Sequence, residues 1–185
     1  MQGAVFTAFS DMIVEKMGME MLDELIETTE PESGGIYTAG GSYADSELFN
    51  MVGVLSDKTN IPAEELVRSF GHYLFKKLYA SCPTDISQIT DLKAFLLAID
   101  SVIHKEVKRL YPQAYLPRFS YEEQEDGRLV IYYNSGRELC ELAEGLIVGA
   151  SEHFKQPIHL AHPDCLHRGD KHCKIVVAFD TQENQ

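Results

Sequence analysis

The sequence predicts an α+β fold in which helices come first and a mainly antiparallel sheet of about four strands comes late. Up to residue 111, apolar residues recur at three- and four-residue intervals, as they do on one face of a helix. After Pro112 the pattern changes to short strand-like segments, and Asp126-Gly127 is typical of a hairpin turn. Helices followed by strands favour an α+β layout, and 185 residues fit one domain or one core in two lobes.

Five helices are predicted before Pro112. Gly18 separates the first two helices, and a proline and four glycines make residues 28–42 a long loop. Asn60 and Pro62 supply a cap residue and an early proline for the fourth helix, which Cys82-Pro83 then breaks. The predicted helices cover residues 4–17, 19–26, 45–59, about 61–80 and 91–111.

Four strands and one further helix are predicted after Pro112. The predicted strands cover residues 115–121, 127–133, 157–161 and 174–179. Residues 138–154 carry a helical apolar stripe, in which Gly145 and Gly149 leave bare backbone that another element could approach closely. Residues 181–185 are expected to be a frayed tail.

The charge balance restricts the possible partners. The net charge is −13 and the pI is near 4.9. Nucleic-acid binding needs a basic face, so this class of partner is disfavoured, and so is an anionic membrane surface. A protein partner is therefore expected to dock through particular patches.

The sequence lacks the usual signals for export or membrane insertion. No apolar run approaches the ~20 residues that span a bilayer, and Asp11 interrupts the N-terminal segment before a signal core could form. A cytoplasmic location is the default expectation. In that setting Cys82, Cys140, Cys165 and Cys173 are interpreted as thiols or metal ligands rather than as disulfides.

His104 is the first candidate ligand. It lies to one side of the apolar stripe of the helix predicted over residues 91–111, where its ring could face a neighbouring cavity. An imidazole in that position can hold a metal. On this helix alone, a boundary histidine bonded to a backbone carbonyl is the competing interpretation.

A polar cluster follows the predicted hairpin. Residues two apart share one face of a strand, so Tyr133, Ser135 and Arg137 point the same way. Two hydroxyls and a guanidinium can clamp an anion, and arginine can bind a carboxylate through two parallel hydrogen bonds. The alternative is a set of polar strand-end residues that face water.

Together, His104, Pro117 and the Tyr133-x-Ser135-x-Arg137 motif resemble the haem nitric oxide/oxygen-binding (H-NOX) family, over essentially the whole chain. That family also supplies the haem domain of soluble guanylate cyclase. The resemblance implies one domain over residues 1–185 that encloses haem b, with a distal helical lobe over about 1–60 and a proximal lobe over about 61–185. It implies that His104 is the axial ligand of the iron, that the motif binds the haem propionates, and that Pro117 presses on the porphyrin.

The distal side of the haem is expected to be apolar. H-NOX proteins that hold oxygen stably resemble one another in having a distal tyrosine, and this chain has Leu142 where we align it. The apolar candidates for the rest of the pocket are Val5, Phe9 and Leu74. His72 and Tyr73 lie next to Leu74 in sequence, so a polar group near the pocket stays open.

Six histidines and cysteines are concentrated in residues 159–173 and predict a zinc site. His162, Cys165 and Cys173 could supply three ligands and Cys140 the fourth. Several bacterial H-NOX proteins resemble this chain in having a Cys…His-x-x-Cys…Cys zinc site. Reduced thiols with surface histidines are the alternative. The competing ligands are His159, His167 and His172, and Cys82 is expected to be an ordinary buried thiol.

The resemblance implies a sensor rather than an enzyme. Nitric oxide is the expected ligand and carbon monoxide a second candidate. A separate histidine kinase, or else an enzyme of cyclic di-GMP turnover, is expected to receive the signal. Nitric oxide would bind opposite His104 and free its helix, the haem would relax against Pro117, and the lobes would rotate.

Two other functions compete with gas sensing. The cysteines could form a zinc/thiol redox sensor that releases metal when it is oxidised. The chain could also be a zinc-stabilised binder of small hydrophobic molecules, because its C-terminal part resembles vinyl-reductase-like domains. A hydrolytic zinc enzyme is disfavoured, since three cysteines and a histidine leave no position for water.

Overall fold

The computed structural model of the chain describes residues 1–82 and 84–180, and it confirms the α+β fold. The helices are α1 (Gly3–Met17), α2 (Met19–Thr29), α3 (Asp45–Thr59), α4 (Ala63–Ala80), α5 (Leu92–Ala98), α6 (Lys105–Leu110) and α7 (Cys140–Phe154). The strands are β1 (Arg118–Glu123), β2 (Leu129–Asn134), β3 (Ile158–Asp164) and β4 (Cys173–Phe179). The break expected at Pro83 and the tail expected at 181–185 fall outside the described residues. None of the described helices has the length and apolar character needed to cross a membrane.

The first three helices pack with the first half of α4 around a core of their own. Phe9 of α1 and Phe70 of α4 meet edge to face, with ring centroids 5.2 Å apart, and both are fully buried. The loop expected over residues 28–42 folds back onto the start of α1, where the Gly3 N–H donates to the Gly41 carbonyl over 2.8 Å. Because α4 continues past this core, its second half can contribute to another one.

The four strands form one antiparallel sheet in the order β1-β2-β4-β3. Gly127 has a φ of 87° in the β1–β2 turn, as the hairpin prediction requires. Pro117 has no N–H to donate, and β1 accordingly begins at Arg118 rather than at residue 115. The sheet packs against α7 to form the second core.

Helices α4 and α7 approach so closely that glycine is required where they meet. A Cβ at Gly145 would stand 2.0 Å from the carbonyl oxygen of Arg68, and one at Gly71 would stand 2.3 Å from that of Leu142. A Cβ at Gly149 would also collide with α4. The close approach expected at the two α7 glycines is confirmed, and their partner is α4.

The helix predicted over residues 91–111 is not one continuous α-helix. The Asp91 carboxylate caps α5 by accepting from the Ala94 N–H over 2.9 Å. Residues Ile99–His104 then form a π-helical turn before α6 begins. A π turn inserts an extra residue without interrupting the run of apolar side chains, and the apolar periodicity therefore did not predict it.

Candidate functional site

A cavity of about 440 Å³ lies between the two cores. Its walls come from α4, α7, the first two strands and the helical segment that contains the π turn. Most of the lining side chains are aliphatic or aromatic. A cavity of this size and composition, with few polar groups, is typical of a site for a small organic molecule or cofactor.

His104 is the imidazole in the cavity wall. It ends the π turn, its side chain is 19% exposed, and its Nδ1 lies 3.3 Å from an Asp100 carboxylate oxygen. Its ring lies over Phe119, with centroids 5.7 Å apart. Burial lowers the pKa of His104, although the nearby Asp100 carboxylate opposes the shift. A neutral imidazole has a nitrogen lone pair available for a metal.

Tyr133, Ser135 and Arg137 all line the cavity, although β2 ends at Asn134 and only Tyr133 of the three lies in a strand. The Tyr133 hydroxyl accepts from the Leu139 N–H over 3.0 Å, and the Ser135 hydroxyl accepts from the Arg137 N–H over 3.2 Å. In both of these contacts the hydroxyl oxygen accepts, so neither contact uses the hydroxyl proton. The chemistry needed for an anion clamp is therefore present.

Asp45 is a partner of Arg137 that the sequence did not indicate. Its two carboxylate oxygens accept from Nε and Nη2 of Arg137 over 2.5 and 3.1 Å. Arg137 also donates to the Tyr115 carbonyl and lies over the Tyr115 ring. Burial alone would raise the pKa of Asp45, but its hydrogen bonds with Arg137 lower the pKa below its usual value. This ion pair joins α3 to the end of the hairpin.

The remaining residues predicted for this pocket divide into two groups. Pro117, Leu142, Val5 and Leu74 line the cavity. Phe9 does not belong to the described lining, because it is fully buried in the N-terminal core.

The two polar residues next to Leu74 also lie outside the described lining. The Tyr73 hydroxyl donates to Glu15 over 2.8 Å, and His72 lies 2.8 Å from Glu152. Neither side chain therefore supplies the polar group that the sequence left open.

Sequence reasoning missed the contribution of β1. Phe119 and Tyr121 line the cavity from one face of β1, and Pro117, which precedes that strand, lines it as well. The Tyr121 hydroxyl is buried and has no hydrogen-bond partner among the described residues. The period of two that was applied to Tyr133 and its neighbours would have found both residues.

A second candidate site lies where α7, the end of β3 and the start of β4 meet. Ligand atoms of Cys140, His162, Cys165 and Cys173 all lie within 4.8 Å of one another. The Cys140 and Cys165 sulfurs are 3.7 Å apart, close to the ~3.8 Å edge of a tetrahedron with zinc–sulfur bonds of ~2.3 Å. A disulfide would need about 2.0 Å. These four residues could hold a metal, and we call them the Cys/His cluster.

Burial changes the acidity of the thiols in the Cys/His cluster. It raises the pKa of the Cys140 thiol, which the Glu141 carboxylate raises further, and it also raises the pKa of the Cys173 thiol. His162 places its Nδ1 2.5 Å from a Glu144 oxygen, and its Nε2 is buried without a partner among the described residues. Three buried sulfurs and one free imidazole nitrogen suit a soft divalent cation.

The other candidate ligands lie outside the Cys/His cluster. His167 forms an overlapping set with Cys140 and Glu141. His159 lies at the surface near Asp180, and His172 packs against an aromatic ring. Cys82, expected to be an ordinary buried thiol, is half-buried and lines the large cavity instead.

The family model described as Haem-NO-binding matches residues 2–162. This chain belongs to that family. Its members are haem-based gas sensors, also called H-NOX proteins. The neutral imidazole of His104, the apolar walls and the basic residue beside two hydroxyls fit a flat, mostly apolar group with one metal and carboxylate substituents.

Solved structures and a curated relative support the assignment. An H-NOX protein of S. oneidensis in the Fe(II)NO ligation state is 34% identical, with a TM-score of 0.92, over 98% of this chain and 100% of that one. The Fe(II) unliganded H-NOX protein of K. algicida is 30% identical, with a TM-score of 0.91 and full coverage of both chains. Soluble guanylate cyclase gcy-34 of Caenorhabditis elegans is 23% identical over 80% of this chain, which spans 22% of that protein.

Proposed function

We propose that this chain is a haem-based sensor of nitric oxide that passes its signal to a separate protein. The observation that carries the proposal is the contrast between two walls of the cavity. His104 lies on the wall that packs with the sheet, next to Ile103 and Phe119. The wall that packs with the N-terminal core carries alkyl side chains, among them Val5, Leu74 and Leu142. Ferrous haem in such a pocket supplies gas binding, and these alkyl groups offer no donor to favour dioxygen.

Each cavity residue has a role in this proposal. His104 would bind the haem iron, and Pro117 would contact the ring of haem b. Tyr133, Ser135 and Arg137 would bind the propionates. Asp45 and the Tyr115 carbonyl use three of the five N–H donors of Arg137, so two stay available for a carboxylate.

The path of the signal follows the helical segment that holds His104. Its first part, α5, is anchored by the buried side chains of Leu92, Phe95 and Leu96. The π turn and α6 instead place Ile103 and Val107 on the cavity. The position of the π turn and α6 would therefore depend on the bond between His104 and the iron. If that bond broke, this segment could shift. We propose that residues 1–60 then rotate as a distal lobe relative to residues 61–185.

The receiver of the signal is proposed to be a separate histidine kinase, or else an enzyme of cyclic di-GMP turnover, and this chain is proposed to be cytoplasmic. The net charge of −13 suits a protein partner better than a nucleic acid. Nitric oxide is the proposed ligand, with carbon monoxide as a second one.

Absorption spectra of the reduced protein test the proposal. We expect a Soret band that shifts when nitric oxide is added and that does not become an oxygen complex in air. A stable spectrum of an oxygen complex would contradict the proposed selectivity. Absence of a Soret band after expression with iron would instead favour a binder of small hydrophobic molecules.

We further propose that the Cys/His cluster binds zinc. The short distances between its ligand atoms support a closed four-coordinate site, which leaves no open position for hydrolysis. A zinc/thiol redox sensor is the second candidate function, and the three converging sulfurs favour it. We expect about one zinc per chain, and peroxide should release it if the thiols sense oxidation. If the protein is purified without zinc, and if added zinc does not change its stability, the proposed zinc site is contradicted.

A further inference from the structure

A chain of charged contacts runs from the surface of α4 to the Cys/His cluster. Nε of Arg68 donates to one oxygen of the Glu144 carboxylate over 2.7 Å. The other oxygen of Glu144 lies 2.5 Å from Nδ1 of His162. The side chain of Glu144 is 9% exposed and that of His162 is 14% exposed, whereas that of Arg68 is 44% exposed. We call these three residues the Arg68–Glu144–His162 relay.

The relay decides which nitrogen of His162 can bind a metal. A carboxylate only accepts hydrogen bonds, so Nδ1 of His162 carries the hydrogen that points at Glu144. The lone pair is then on Nε2, which is buried and has no partner among the described residues. A histidine that binds a metal commonly donates its other N–H to a carboxylate, which fixes the ring and raises its basicity.

We propose that Glu144 is a positioning residue for a metal ligand, and that it connects the metal site to α4 through Arg68. This inference rests on the zinc site proposed above and adds the residue that orients the histidine of that site. Glu144 fixes the tautomer and ring orientation of His162, and Arg68 holds Glu144 in place while compensating the charge that Glu144 brings into the interior.

The relay connects the metal site to helices that also contribute to the cavity wall. Glu144 immediately precedes Gly145, which meets the Arg68 carbonyl at the closest contact between α4 and α7. Cys140 begins α7, and Leu142 of the same helix lines the large cavity. A bound metal would therefore hold α7 against the sheet, and the Arg68–Glu144 contact joins the same helix to α4. The sheet and α4 both contribute to the cavity wall.

Titration of the reduced, metal-free protein with Co²⁺ and Zn²⁺ tests the inference. In the wild type we expect one Co²⁺ per chain, with the thiolate charge-transfer and d–d bands of a tetrahedral site. Glu144→Gln keeps the shape but loses the charge and can present its amide N–H₂ to Nδ1. We expect its metal affinity to fall about 10- to 100-fold, the range typical of outer-shell partners, and its d–d bands to change.

The matched control is Glu152→Gln. Glu152 is another glutamate of α7 that lies beside a histidine, at 2.8 Å from His72, but it is exposed and does not belong to the Cys/His cluster. Its metal affinity and cobalt spectrum should match the wild type. Arg68→Ala keeps the Glu144 carboxylate but removes the contact that holds it, and it should weaken metal binding less than Glu144→Gln.

The outcomes separate the inference from the zinc proposal. If the wild type binds neither Co²⁺ nor Zn²⁺, the metal site itself is overturned. If the wild type binds metal and Glu144→Gln has the same affinity and spectrum, only the role of Glu144 is overturned. An equal loss in Glu144→Gln and Glu152→Gln, with unchanged d–d bands, also overturns it, because the effect would then be a general weakening of the α4–α7 contact. Unchanged affinity in Arg68→Ala overturns the part assigned to Arg68.

Discussion

The large cavity and the Cys/His cluster share helix α7, but they would select their ligands in opposite ways. The cavity offers one imidazole, at His104, within walls that are mostly apolar. The cluster offers four ligand atoms within 4.8 Å of one another, three of them on buried cysteines. The cavity therefore selects by shape and burial, whereas the cluster selects by the number and softness of its ligands.

This difference has a consequence for mutations. In the cavity, one side chain is proposed to form the only bond from the protein to iron. The surrounding walls contribute only the non-directional burial of apolar surface. In the cluster, the binding free energy is shared among four ligands. Two substitutions should affect one site each, a third should affect both sites together, and a fourth should affect only an ion pair beside the cavity.

His104→Gly should have the largest effect, and only at the cavity. Removing the axial ligand should lower haem affinity by about a hundredfold or more, since each 1.4 kcal/mol of a lost bond is about tenfold. Haem content and the Soret band of the purified protein measure this, and added imidazole should restore the colour. His159→Gly is the control, because His159 is 82% exposed. Unchanged colour in His104→Gly, without any effect of imidazole, would show that another residue binds the iron.

Cys173→Ala should affect only the Cys/His cluster. One ligand in four should account for about 3 kcal/mol of a zinc-binding free energy of roughly 10–16 kcal/mol, a loss of more than about a hundredfold. Competition with a chelator measures the zinc affinity, and the haem spectrum should not change. Cys82→Ala is the matched control, since Cys82 is a free thiol outside the cluster. Equal zinc affinity in both variants would exclude Cys173 as a ligand.

Gly145→Ala should weaken both sites together, because it separates α4 from α7. The added methyl group would stand 2.0 Å from the Arg68 carbonyl, so we expect a loss of about 1–3 kcal/mol in the free energy of unfolding. Gly53→Ala is the control: its Cβ meets nothing within 4 Å, and it should stabilise helix α3 by about 0.5–1 kcal/mol. Urea unfolding measures both changes. If Gly145→Ala leaves the free energy of unfolding unchanged, the two helices can separate without an energetic cost.

Asp45→Asn should have the smallest effect, about 1 kcal/mol at neutral pH, because the pair with Arg137 is partly exposed. The pKa of Asp45 is lower in the folded protein than in the unfolded chain. Its contribution is therefore complete above the unfolded pKa of about 3.9 and is lost as the pH falls through the folded value. Urea unfolding at neutral and acidic pH should show a smaller loss of stability in acid for Asp45→Asn than for the wild type. The exposed Asp57→Asn, on the same helix, should behave as the wild type does.

The sequence indicated candidate residues from the chemistry of their side chains. It did not indicate contacts between residues that are distant in the chain. Tyr133, Ser135 and Arg137 line one cavity as expected, but Ser135 and Arg137 follow the end of β2, so the strand period does not account for them. The ligand-type side chains correctly indicated the four residues of the Cys/His cluster. Asp45 was missed because it is 92 positions from Arg137, and a single aspartate at the start of a helix is also an ordinary capping residue.

Other differences arose from packing. Phe9 was expected in the pocket because it is large and apolar, but those properties suit the N-terminal core equally well. The π turn over Ile99–His104 has no distinct composition, and the predicted helix passed through it. The haem and zinc roles of the individual residues remain predictions, which the measurements above address.

The contact between α4 and α7 also has a consequence for how the chain folds. Arg68 and Glu144 are 76 positions apart in sequence, so the helices can meet only after a long intervening segment has been brought into place. Contacts between such distant residues carry a large loop-closure entropy and form slowly. We therefore expect the cavity to close late in folding, after the N-terminal helices and the hairpin have formed, so that cofactor uptake follows this closure rather than initiating it.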